Sequence, residues 1–112
     1  MKLVTAIVQP HKRAYGQLAP AKHGVSGMTV SESSGYARQH GHSEIYRGEE
    51  FTIDFVLKVK VEILVTDKGT DEVVAVIADA ARTGEIGDGK IWVTTLDEVV
   101  RIRTGEKGEI AV

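Results

Sequence analysis

Apolar residues crowd the first ten positions, MKLVTAIVQP, where Val4, Ala6 and Val8 alternate with Leu3, Thr5 and Ile7 and both sets are mostly apolar. A strand in the middle of a sheet, covered on at least one face, carries this pattern. Residues 12 to 23 are predicted as a weak helix, because Gly16 and Pro20 both fall inside it. An interior proline removes a backbone donor and clashes with the preceding turn, so the helix should end near Ala19, with Gly24 and Gly27 marking the turn that follows. Met28 to Tyr36, MTVSESSGY, reads as a second strand, with Thr29, Ser31 and Ser33 on one face and Met28, Val30 and Glu32 on the other. The next run, residues 37 to 54, is polar, contains Gly41 and Gly48, and shows no sustained period of either kind. A loop of that length inside a compact domain is more often functional than structural.

Regular patterning returns at Phe55 to Val65, FVLKVKVEILV, a strong strand with Lys58, Lys60 and Glu62 on one face and Val59, Val61 and Ile63 on the other. Asp71 to Arg82 has the best helical spacing in the chain: Val73, Val74, Ile77, Ala80 and Ala81 make one apolar stripe, and Asp71 and Glu72 suit the positive N-terminal end. A glycine-rich turn, Gly84 to Gly89, leads into a strand at Lys90 to Thr94. In the closing segment, DEVVRIRTGEKGEIAV, a strand reading puts Val100 and Ile102 inward and Arg101 and Arg103 opposite them. Strand, helix, strand, long loop, strand, helix, strand is the order of a split βαβ unit. The expected fold is therefore an α+β, ferredoxin-like sandwich with a long loop between its second and third strands, filling one domain, residues 1–112.

Composition narrows the function classes. The chain has 112 residues, 42% hydrophobic and 27% charged, with a net charge of -2 and no cysteine. The charge gives no reason to expect nucleic acid or an acidic membrane surface as a partner. Without cysteine there are no disulfides, thiolate chemistry or Cys-ligated zinc, and a reducing cytoplasmic location is compatible with that. The N-terminal apolar stretch stops at Pro10, short of a signal peptide or membrane span.

Thr83 to Lys90, TGEIGDGK, is the most informative run, since Gly84 through Lys90 has the spacing G-x-x-x-x-G-K of a phosphate-cradling loop. The P-loop reading fails on two counts. Ile91 stands where a Mg²⁺-binding Ser or Thr is required, and the run joins helix to strand rather than strand to helix. Its glycines can still present successive backbone N–H groups to an anion beside Lys90, although a tight turn alone would have the same sequence. Arg101 and Arg103, two apart on the expected strand, could clamp a polyphosphate or form a solvated charged edge, and Lys58 and Lys60 carry the same ambiguity. His40, His42 and Glu44 alternate as metal ligands on a strand would, but an exposed polar loop contains such residues freely. His11 and His23 read as surface residues. No Ser–His–Asp set or inward carboxylate pair can be assembled for catalysis.

Taken together, GYARQHGHSEIYRGEEF (Gly35 to Phe51), AARTGEIGDGKIWV (Ala80 to Val93) and VVRIRTGE resemble the nitrogen-regulatory PII signal-transduction proteins, and the likeness runs in register along nearly the whole chain. The resemblance implies a non-enzymatic, cytoplasmic homotrimer that binds ATP or ADP in clefts between subunits. It assigns the phosphates to Gly87, Asp88, Gly89 and Lys90, with Arg101 and Arg103 arriving from the adjoining chain. Thr29, Leu64, Arg38 and the run from Gly35 to Gln39 match further nucleotide-contacting positions. Gln39 would help ligate Mg²⁺ beside ATP, and 2-oxoglutarate would complete that shell while pairing its distal carboxylate with Lys58. Residues 37–55 would be the effector loop, and Arg47 would enter an ammonium transporter, or the loop would engage a nitrogen-metabolism enzyme or regulator. Any membrane association would run through such a partner.

Several residues depart from the family pattern. Phe51 occupies the position of the tyrosine that many relatives nucleotidylate, and Glu49 that of a serine phosphorylated in another branch, so both covalent switches are expected to be missing. Ala37 replaces a hinge glycine, Leu57 a common proline, and Leu64 a frequent valine; the first helix diverges most. Ala37 and His40 leave open a paralogue that binds adenine nucleotide but senses another small ligand. An ATP hydrolase lacks a visible base for water. The remaining alternative is a ferredoxin-like interaction module with no nucleotide.

Overall fold

The structure, a computed structural model, describes residues 1–10, 25, 27–36, 44–46, 49–51 and 55–112. Four strands form its main sheet: β1 (Lys2–Val8), β2 (Thr29–Tyr36), β5 (Phe55–Val65) and β6 (Gly89–Thr95), in the order β2-β5-β1-β6 with every neighbouring pair antiparallel. Because β5 and β6 both run against β1, they are parallel to each other, and the helix α1 (Thr70–Ala81) is the crossover between them. This is the strand order of a ferredoxin-like α+β domain, as the sequence pattern required. The expected first helix, residues 12 to 23, lies outside the described residues.

The register explains the core. Val4, Ala6 and Val8 stand opposite Ile63, Val61 and Val59, all at most 1% exposed, and α1 adds Val73, Ile77 and Ala81 to the same cluster. On the opposite face of β1, Leu3 and Ile7 are half-buried and Thr5 is buried. Ahead of α1, Asp67–Gly69 form a short 3₁₀ turn in which the Thr66 hydroxyl accepts the Gly69 N–H (3.3 Å) and the Thr66 carbonyl accepts the Thr70 hydroxyl (2.9 Å). The Gly69 N–H, which also reaches the Thr66 carbonyl at 3.1 Å, is thereby satisfied at the helix entrance. The chain ends of the sheet are also tied: Leu96 N–H donates to the Met1 carbonyl, and the Met1 ammonium pairs with Asp67 at 2.5 Å.

Two regions differ from the sequence reading. Within the run expected to lack any strand period, β3 (Glu44–Tyr46) and β4 (Glu49–Phe51) pair antiparallel, Ile45 opposite Glu50. At the C-terminal end, Arg101 and Arg103 are not on a strand. Arg101 N–H donates to the Glu106 carbonyl (2.9 Å), Gly105 N–H donates back to the Arg101 carbonyl (2.8 Å), and Gly105 sits at φ 73°. This closed turn breaks the alternation, so Val99 is the buried residue while Val100 faces solvent and Ile102 is 98% exposed. Period-two reasoning had assumed that the strand continued.

Candidate functional site

The glycine-rich turn occupies residues 82–88, between the end of α1 and the start of β6, which confirms the helix-to-strand direction that excludes a P-loop. Its shape is set from inside. One oxygen of the Asp88 carboxylate accepts the N–H groups of Thr83 (2.8 Å) and Gly84 (2.9 Å), and the other accepts the Thr83 hydroxyl. That hydroxyl in turn accepts the Glu85 N–H at 3.2 Å. The carboxylate thus folds back on its own turn and leaves the outward edge to Gly87, Gly89 and Lys90. The Gly87 N–H donates to none of the described residues. Gly89 has no freedom to be anything else: its φ is 105°, and a Cβ there would overlap the Ile7 carbonyl oxygen of β1.

Beneath the turn lies Lys58. Val59 is the last β5 residue paired with β1, opposite Val8, and Val8 in turn faces Gly89. Lys58 therefore sits one residue past the end of β1, where its side chain can cross over the strand end. Its ammonium donates to the Gly87 carbonyl at 2.7 Å, and the residue is only 5% exposed. Burying an ammonium is unfavourable unless it is hydrogen-bonded, so this contact is what holds Lys58 under the turn. Ser33, opposite Lys58 on β2, has a buried hydroxyl with no partner among the described residues.

The remaining charged residues divide sharply. Arg101 is engaged by its own turn, one guanidinium nitrogen on Glu106 (3.0 Å) and the other on the Ile110 carbonyl (2.9 Å). Glu106 also accepts the Thr104 hydroxyl at 2.8 Å. Lys90 and Arg103 are exposed and make no ion pair or side-chain hydrogen bond with any described residue.

Lys58, Gly87, Asp88, Gly89 and Lys90 are therefore brought together at one end of the sheet. Thr29 and Leu64 are not: Thr29 faces Glu62 and Leu64 faces Leu3, toward the other end of β1. Lys90 is level with Ile7 and Leu64 with Leu3, so at about 3.4 Å per residue and 4.8 Å per strand they lie roughly 16 Å apart along the sheet. Gly35 is the residue before the last of β2, while Arg38, Gln39, Arg47 and Ala37 lie outside the described residues, as do His40 and His42. Of the Mg²⁺ ligands the resemblance implies, only Gln39 comes from protein. Among the described residues no three His, Asp or Glu side chains are grouped to hold a metal, so the described part of the chain offers no metal cage of its own. Sequence reasoning gave no role to Thr83, Glu106 or Ser33. A Thr before a glycine with an Asp closing the turn is a readable signal, because short polar side chains satisfy turn backbone groups.

Comparison with known proteins places the chain in a family. The family model for the nitrogen regulatory protein P-II matches residues 1–106. A nitrogen regulatory protein P-II from Microchaete diplosiphon is 54% identical over 112 residues, all of both chains. One from Nostoc punctiforme is 53% identical and the nitrogen regulatory protein GlnK of Escherichia coli K12 is 47% identical, again over all of both chains. The chain belongs to the P-II family and is a nitrogen-regulatory signal-transduction protein. Among the described residues no helix is long and apolar enough to cross a membrane.

Proposed function

We propose that this chain is a cytoplasmic, non-enzymatic sensor that binds ATP or ADP at the glycine turn and reports occupancy through residues 37–55 to a nitrogen-metabolism enzyme, regulator or ammonium transporter. The observation that carries the reading is the turn itself. Asp88 braces it from within, and its outer edge presents the Gly87 amide and the exposed Lys90 ammonium. Such an edge suits a phosphate chain, which takes backbone N–H groups and a point charge together. Arg103, exposed beside Ile102 on a turn that projects from the domain, is suited to reach a neighbouring copy, in keeping with a homotrimer whose sites lie between subunits. In this reading Mg²⁺ binds with ATP and Gln39, and 2-oxoglutarate places its distal carboxylate at Lys58. Phe51 has no hydroxyl, so the loop responds to bound ligands without tyrosine modification.

Calorimetry with Mg-ATP and with ADP tests the reading. The parent should bind both, and Lys90→Ala and Arg103→Ala should each weaken binding by at least about tenfold, the value of one charged hydrogen bond. Variants that bind like the parent would remove the site from this position. Titrating 2-oxoglutarate into protein already holding Mg-ATP then separates the 2-oxoglutarate sensor from a paralogue that answers to another ligand. Silence in the parent would favour the paralogue.

A further inference from the structure

We infer that Thr83 and Asp88 form a latch that holds the glycine turn in its anion-accepting shape, and that Asp88 acts as a positioning residue rather than a phosphate ligand. The inference rests on the nucleotide reading above for its consequence, but the latch itself rests on geometry alone. Three donors converge on one carboxylate: the Thr83 and Gly84 amides and the Thr83 hydroxyl. A negative side chain in a phosphate site would ordinarily repel the ligand. Here those donors take up its charge on the inner side of the turn. They also consume the Thr83 and Gly84 amides, so the amides left for an anion are those nearer Lys90. The turn is held at its other end as well, where the Lys58 ammonium fixes the Gly87 carbonyl at 2.7 Å.

The hydroxyl of Thr83 is the removable part. It accepts the Glu85 N–H and donates to Asp88, so it links the first half of the turn to its last residue. Thr83→Val keeps the shape of the side chain and deletes both bonds, whereas Thr83→Ser keeps both bonds and deletes a methyl group.

The test combines Mg-ATP calorimetry with amide hydrogen exchange by NMR on the parent, Thr83→Val, Thr83→Ser and Asp88→Asn. In the parent the Thr83 and Gly84 amides should be protected, and in Asp88→Asn they should exchange at least about tenfold faster. Thr83→Val should bind Mg-ATP about tenfold more weakly, and Thr83→Ser should return to within twofold or so of the parent. Rescue by serine is the readout that general destabilisation would not produce. Unprotected Thr83 and Gly84 amides in the parent would overturn the latch, whatever the nucleotide results. Thr83→Val binding like the parent, or Thr83→Ser binding as weakly as Thr83→Val, would overturn the positioning role. A parent that binds no nucleotide while both amides are protected would overturn the nucleotide reading and the positioning role, leaving the latch as a structural device.

Discussion

Replacing Gly89 with alanine probes the junction between the glycine turn and the sheet, and its cost can be worked out in parts. At φ 105° an L-residue is strained by about 1–2 kcal/mol before any neighbour is considered. The added Cβ would then overlap the Ile7 carbonyl oxygen, a backbone atom that no rotamer change can move. Relief requires β6 to part from β1 at the Val8–Gly89 pair, which forfeits roughly one or two ladder hydrogen bonds at about 1 kcal/mol each. The sum is about 2–4 kcal/mol. With a urea slope of about 1–3 kcal/mol/M, the unfolding midpoint should fall by about 0.7–4 M at fixed protein concentration. Gly105→Ala is the internal control: its φ is 73° and nothing lies within 4 Å of the new Cβ, so strain alone should cost about 1 kcal/mol. Equal midpoints for the two variants would show that β6 does not approach β1 at Gly89 as closely as the structure has it.

Lys58→Met should leave stability within about 1 kcal/mol of the parent, because two effects oppose each other. The Gly87 carbonyl loses its partner, at about 1–3 kcal/mol, while a buried ammonium and its desolvation cost are removed. The same variant should fail to respond to 2-oxoglutarate in a calorimetric titration; a normal response would detach Lys58 from the effector. For Asp67, the hydrogen bond from the Met1 ammonium holds the carboxyl below its ordinary value of 3.8. A lowered folded value means that the pair stabilises the fold above the unfolded pKa and is lost as pH falls through the folded one. Thermal melts of the parent and Asp67→Asn should therefore differ near neutral pH and converge in acid once the carboxyl is protonated in the folded protein; a gap that persists there would assign the effect to something other than this ionisation.

The elements set by side-chain period were legible in the chain. β1, β5 and α1 each bury a large apolar set, so their alternation of 2 or 3.6 survives into the structure, and Val59, Val61 and Ile63 fall where the pattern put them. The segment after β6 was misread for the opposite reason. Val99, Val100 and Ile102 are all apolar, and nothing in their spacing announces that the Arg101–Gly105 turn will close with a backbone bond and reverse which of them is buried. Strands β3 and β4 have three residues each, too few to display a period of two. Within the site, the glycines and Lys90 could be picked out by type and spacing. The inward roles of Asp88 and Arg101 could not, since a carboxylate or guanidinium reads the same in sequence whether it faces a ligand or its own turn.

That difference reorganises the charges the resemblance assigned to the nucleotide and, for Lys58, to 2-oxoglutarate. Lys58, Asp88 and Arg101 each spend their hydrogen bonds on the chain itself: on the Gly87 carbonyl, on the Thr83–Gly84 amides, and on Glu106 with the Ile110 carbonyl. Lys90 and Arg103 are the two of this set that stand exposed without a described partner. A side chain already satisfied must break a bond before it can meet a phosphate, and the gain is then only the difference between two hydrogen bonds. An exposed, unpaired cation forfeits nothing but hydration. In the proposed nucleotide site, the energetic weight of phosphate recognition would therefore fall on Lys90 and Arg103, with the other three setting the shape in which those two charges are presented. The chain leaves β6 at Thr95, the end remote from Lys90, before it reaches Arg103. In the proposed trimer the two would meet across a contact between copies, Lys90 from the start of β6 in one and Arg103 from the segment after β6 in the other.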